Sequence, residues 1–198
     1  MKLKVVLILL SVIFLNGCID FTRYKTGKVL EQGKLTLTIG EGLGLYGAGA
    51  GMGTIWPKVG VSVGVGKGLE IGCVTNVMIL GGDIRQQIMY EEENGINATF
   101  DFGVNSGMAT SVNSGFTLSK TTNSKKEPYF GLRYNKYFNN YDDELFDDIE
   151  KISNLQATVG VKMPASSFAV YPELNFYKFT EDGGDILTVI GIGTTFEF

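Results

Sequence analysis

The sequence predicts an all-β fold, an antiparallel up-and-down transmembrane barrel of about ten strands. Three observations carry this. Apolar residues alternate with glycine, serine, threonine and asparagine at a period of two in segment after segment, while helical periodicity is almost absent. Glycine is abundant at 27 and proline scarce at 4, with aromatics at 12%, a composition suited to strands and turns. The alternating segments are also long enough to cross a bilayer, for which a tilted strand needs about 9–11 residues.

The elements follow in order. Strands are expected at 34–46, 57–66, 68–76, 83–91, 95–104, 108–120, 128–138, 154–163, 167–179 and 186–198. The alternation is clearest where Val59, Val61, Val63 and Val65 are spaced by Gly60, Ser62 and Gly64. It is equally clear where Ile96, Ala98, Phe100, Phe102 and Val104 flank Asn97, Thr99, Asp101 and Gly103. Leu155 to Met163 and Ile190 to Phe198 repeat it. Eight strands is the alternative, because 83–91 (with Gln86 on the apolar phase) and 108–120 alternate poorly. Turn signals separate several segments: Gly66-Lys67-Gly68, Glu93-Asn94-Gly95, Pro164-Ala165-Ser166 and Asp182-Gly183-Gly184. Pro172, in mid-strand on the apolar phase, and Glu41, on the apolar phase of the first strand, each predict a β-bulge.

Alternation alone also fits a soluble sandwich. The polar phase decides between them: it is mainly small residues, which suit the crowded lumen of a narrow barrel, rather than the Lys and Glu of a water-facing sheet. Aromatics gather near strand ends at Tyr46, Trp56, Tyr137, Phe138, Tyr177 and Phe179, where interfacial girdles are expected. The last strand carries Phe196 and Phe198 in phase with Ile190 and Ile192. In this the chain resembles the small bacterial outer-membrane β-barrel superfamily over about residues 34–198. The resemblance implies that Phe196 and Phe198 act as the assembly signal, and that the barrel assembly machinery and membrane lipid are partners. It also implies short periplasmic turns and longer external loops, the longest at 139–153.

The N-terminus has its own logic. Lys2 and Lys4 precede an apolar run from Val5 to Leu15, too short to span a bilayer as a helix, followed by Leu15-Asn16-Gly17-Cys18. This resembles a bacterial lipoprotein signal, with Asn16 as its departure from the usual small residue. It implies a signal peptide at 1–17, a diacylglycerol thioether (and palmitate-type acylation) on Cys18, and anchorage in the outer membrane, since Ile19 is not the aspartate of inner-membrane retention. Residues 18–33 then read as lipid anchor and polar connector, and 34–198 as the barrel domain. With Cys18 acylated, Cys73 has no partner and stays a free thiol.

Exclusions follow. The chain carries a net charge of −4, so nucleic acid is not a partner. It has no histidine, which removes Ser-His-Asp and Cys-His catalysis and His-ligated metals. No catalytic residues, cofactor or metal site are expected, and the protein is not read as an enzyme. The acidic group from Asp142 to Glu150 lacks EF-hand spacing and reads as a solvated loop. The seven glycines between Gly40 and Gly53 lack the Lys and helix of a phosphate loop and read as strand end and loop.

The inward phase places Glu70, Arg85, Asp101, Arg133, Lys162, Glu173 and Glu197 in the lumen. Isolated buried charge is costly, so these should pair into a plug, with a polar track for protons or small solutes as the alternative. The expected role is structural or surface-interactive. A small-solute channel or a periplasmic lipocalin-like lipoprotein binding an apolar ligand is the other reading.

Overall fold

The computed structural model describes residues 23–45, 57–76, 79–107, 109–139, 153–180 and 186–198. Residues 1–22 with Cys18, residues 46–56 of the glycine-rich stretch, the acidic loop at 140–152 and the turn signal at Asp182-Gly183-Gly184 lie outside the described residues.

Ten strands form one closed antiparallel barrel, each bonded to its neighbours in the chain, with the first closing on the last. They are β1 (Leu35–Leu45), β2 (Lys58–Gly66), β3 (Leu69–Thr75), β4 (Ile79–Met89), β5 (Asn97–Gly107), β6 (Ala109–Ser119), β7 (Glu127–Asn139), β8 (Ser153–Pro164), β9 (Phe168–Phe179) and β10 (Leu187–Glu197). Both poorly alternating segments are strands, so the count is ten rather than eight. β4 begins at Ile79, earlier than expected, because Gly81 and Gly82 have no side chains to reveal the phase. The closing seam runs in one register from Thr36↔Glu197 to Leu45↔Thr188. Leu35 and Phe198 extend it by exchanging backbone bonds of 3.2 and 2.8 Å.

The β2–β3 link is the expected tight turn. Gly66, Lys67 and Gly68 all have positive φ, the conformation that glycine adopts without strain. The β4–β5 link is not a simple turn. Glu91–Asn94 forms one helical turn, α1, with three acids at its positive end and the Glu91 N–H donating to the Asn97 side chain at 3.1 Å.

Neither predicted bulge forms. Pro172 pairs in unbroken register with Ile192, and the β8 ladder simply omits two pairs between Gly160↔Glu173 and Met163↔Val170. An antiparallel residue directs its N–H to one neighbour only, and the missing N–H of Pro172 falls on the β8 side. Glu41 sits in regular register opposite Ile192, its side chain exposed. Register shifts occur instead at Gly64/Gly66 and Gln87/Met89, next to the β2–β3 and β4–β5 links.

The barrel is apolar outside and polar inside. All ten strands expose large apolar residues, among them Ile39, Val61, Ile71, Ile84, Phe102, Phe116, Phe130, Val159, Leu174 and Ile192. The buried residues are mostly Thr, Ser, Asn, Gln and charged groups. This reverses a soluble core and matches a wall facing lipid. The aromatic girdle is corrected in part. Phe138 faces outward, but Tyr137 and Tyr177 are buried in the lumen and Phe179 packs there with Tyr177 and Leu187. They share parity with Arg133 and Glu173, and a period of two fixes the face whatever the height along the strand. Tyr46 and Trp56 lie outside the described residues.

Candidate functional site in the barrel lumen

The chain enters β1 and leaves β10 at one end of the barrel, the turn end, which also carries the tight β2–β3 and β8–β9 turns; the other, the loop end, carries the β1–β2, β7–β8 and β9–β10 connections. Glu70, Arg85, Asp101 and Glu173 are buried inside, and Arg133 is half-buried there. Glu70 and Arg85 stand opposite each other on β3 and β4 and bond at 3.0 Å. Arg133 reaches across Gly115 of β6, which has no side chain in the way, to Asp101 at 3.1 Å. Lys162 and Glu197 do not join this group. They lie at the turn-end mouth, where Lys162 bonds Tyr171 and faces Glu127 and Glu197, and Glu197 is exposed.

The lumen also holds what sequence reasoning placed elsewhere. Residues 23–31 are not a connector outside the barrel; they run inside it, from mid-lumen to the turn end. Arg23 forms an ion pair with Asp101, so this carboxylate serves two arginines. The Lys25 ammonium lies 2.7 Å from Asp83 and 3.3 Å from Glu70. The backbone N–H groups of Arg23 and Tyr24 donate to the two oxygens of Glu173 at 2.7 and 3.0 Å. Arg85 donates to the Thr26 carbonyl and Thr99 to the Gly27 carbonyl. The N–H groups of Gly27, Val29 and Leu30 donate to Ser119, Gln87 and Glu70 at 3.0, 3.3 and 3.1 Å. The segment is irregular, left-handed at Tyr24 and bent at Gly27 and Lys28, and wall side chains answer its buried backbone groups in place of a regular ladder.

The wall is shaped for this segment. The Tyr24 ring lies on Gly40 and Gly193, which are paired across the closing seam, and its hydroxyl donates to the Glu41 carbonyl. A Cβ at either glycine would overlap the ring. Gly64 likewise leaves room for the carbonyls of Leu30 and Glu31. Beside the segment remains a polar cavity of about 260 Å³ near the turn end, bordered by Lys28, Lys34, Lys162 and Glu197.

A second network does not involve the segment's side chains. Asn135 bonds Asn154 at 2.8 Å, and Asn175 accepts from Gln156 at 2.9 Å and Thr158 at 2.6 Å. Asn175 and the Tyr129 hydroxyl both donate to Glu173, at 2.9 and 2.8 Å. Glu173 thus joins the two networks.

Sequence reasoning missed Arg23, Tyr24, Lys25 and Asp83. The segment has no periodicity to mark it. Its signal was indirect: more inward carboxylates than inward cations, and inward glycines in register across strands.

Trypsin added to the folded barrel should leave the bonds after Arg23 and Lys25 intact while cutting the exposed turn at Lys125 and Lys126. Peptide mass mapping reads this directly, and early cleavage after Arg23 would show that the segment is not enclosed.

No protein-family model and no curated protein sequence matches the chain. Among solved structures it is similar to the NanC porin, at 13% identity and TM-score 0.54, over 81% of this chain and 98% of that one. It is also similar to the KdgM porin in complex with disordered oligogalacturonate, at 8% identity and TM-score 0.48, over 82% and 99% of the two chains. A third is the Yersinia pestis outer membrane protein Ail, at 12% identity and TM-score 0.44, over 84% and 100%. The likeness is one of fold, that of the outer-membrane β-barrels.

Proposed function

We propose that this chain is an integral barrel of the bacterial outer membrane, closed to solutes, with a structural or surface-interaction role and a second anchor in a lipid on Cys18. The turn end faces the periplasm and the loop end the exterior. One observation carries the reading: the apolar residues encircle the outside while residues 23–31 occupy the polar lumen from its middle to the turn end. A lipocalin-like cup for an apolar ligand needs the reverse arrangement, an apolar interior and a polar exterior. Acid–base catalysis is disfavoured because Glu70, Asp101 and Glu173 are each committed to cations or backbone N–H groups. Membrane lipid and the barrel assembly machinery are the partners this reading requires.

Intact mass of the mature protein should show acylation at Cys18 and a free thiol at Cys73, which is exposed on the outer face of β3. The Cys18→Ser variant, washed with alkaline carbonate, should stay in the membrane fraction, because the apolar wall alone holds it. Release into the wash would make the protein a tethered soluble domain and end the integral reading.

A further inference from the structure

Residues 23–31 meet the wall as a ligand meets a receptor. The arginine, tyrosine and lysine each have their own site: Asp101, the Gly40/Gly193 bed, and Asp83 with Glu70. We propose that the lumen is a binding site for a short basic peptide, occupied in cis by residues 23–31, whose withdrawal leaves a folded barrel with an aqueous, cation-selective passage.

Charge supports the ligand class. Around the segment the wall supplies Glu70, Asp83, Asp101 and Glu173 against Arg85 and Arg133, with Lys58 farther toward the loop end. Arg23 and Lys25 make up the deficit. A peptide lacking such cations would leave carboxylates unmatched in a confined space, which is unfavourable.

The manner of attachment supports exchange. Apart from Tyr24 and Val29, the contacts are ion pairs and hydrogen bonds, which water can replace on both partners as the segment leaves. The glycine bed offers no interlocking side chains. The segment joins β1 through Gly33, at φ +80°, whose N–H donates to the Gly64 carbonyl at 2.9 Å while the Lys34 N–H donates to the Glu31 carbonyl at 3.1 Å; withdrawal breaks such bonds but none of the seam pairs.

The wall has means to stand without it. Each of Asp101 and Glu70 keeps one arginine, Arg133 and Arg85, when Arg23 and Lys25 are gone. The Asn135–Asn154 and Gln156–Asn175–Thr158 bonds belong wholly to the wall. Around the vacated space the lining is mainly Thr, Ser, Asn, Gln and charged groups, so water can occupy it, while Tyr177, Leu187 and Val189 narrow the lumen toward the loop end.

The inference rests on the closed-lumen reading, and the test separates the two. Full-length wild type and an Arg23→Gln/Tyr24→Gly/Lys25→Gln variant are reconstituted in planar bilayers, with folding checked by heat-modifiable migration. The wild type should be silent. The variant should show discrete cation-preferring steps, and a synthetic peptide of residues 23–31 added on the turn-end side should abolish them. A peptide with glutamate in place of both cations should not. A folded variant as silent as the wild type, or steps that ignore the peptide, would overturn the proposal. A wild type that conducts steadily and is blocked by the peptide overturns only the closed reading; steady conduction without block overturns both. Should the triple variant not fold, Tyr24→Gly alone is compared with wild type for trypsin cleavage after Arg23. Faster cleavage suppressed by added peptide supports the site, and unchanged protection refutes it.

Discussion

Asp101→Ala is expected to lose most of the barrel's margin against urea in detergent. Asp101 is the shared partner of Arg23 and Arg133, its side chain fully enclosed. Removing it leaves two guanidinium groups facing each other with no carboxylate between them. Breaking a buried pair by deleting one partner typically destabilises by about 3–5 kcal/mol, and here two pairs break at once. Withdrawal of the segment can release Arg23 to water, but that forfeits its bonds to Glu173, Asp83 and Ser119. Arg133→Ala should cost less, because Asp101 keeps Arg23. Lys126→Ala, in an exposed turn, should change stability by no more than about 0.5 kcal/mol. Parallel urea curves for the three variants test the order. If Asp101→Ala matched Lys126→Ala, the lumenal charges would be solvated, and the lumen an aqueous channel rather than a closed one.

Deletion of Thr194–Phe198 should abolish the folded barrel. These residues supply the seam pairs from Ile39↔Thr194 to Thr36↔Glu197 and the mutual backbone bonds of Leu35 and Phe198. Without them the first half of β1 becomes an unpaired edge. An open edge exposes N–H and C=O groups to hydrocarbon, where nothing can bond to them. The deletion also removes Gly193's neighbours in the Tyr24 bed, so lumen and wall fail together. Phe198→Asp is a milder probe. It keeps every backbone bond, and a charge near the interface costs only roughly 0–1 kcal/mol, so it should fold once assembled and show its defect in assembly yield. Heat-modifiable migration of membrane extracts distinguishes the two, and a folded deletion product would contradict the closure argument.

Much of the wall was legible from local pattern. The alternation of Val59 to Val65 places valine outward and Ser62 and Gly64 inward, and the structure has them so. The same parity carries Glu70, Arg85, Asp101 and Glu173 to the interior. Where local rules were used to infer longer-range features, they failed for stated reasons. Pro172 needed no bulge because its missing N–H falls on one ladder only. Tyr137 and Tyr177 are near strand ends, as girdle residues are, but their parity turns them inward.

Most strands and their two faces are therefore properties of the sequence itself, because a period of two is written residue by residue and needs no partner to be read; the choice of ten strands over eight came from the closed sheet. What fills the lumen is not of that kind. Arg23, Tyr24 and Lys25 carry no periodic signal, and their places exist only once β1 meets β10 and brings Gly40 beside Gly193. The same closure sets Asp101, Asp83 and Glu173 around one space. Closing the barrel creates the enclosed, water-poor volume in which unmatched carboxylates are costly, and that cost draws the basic segment inside.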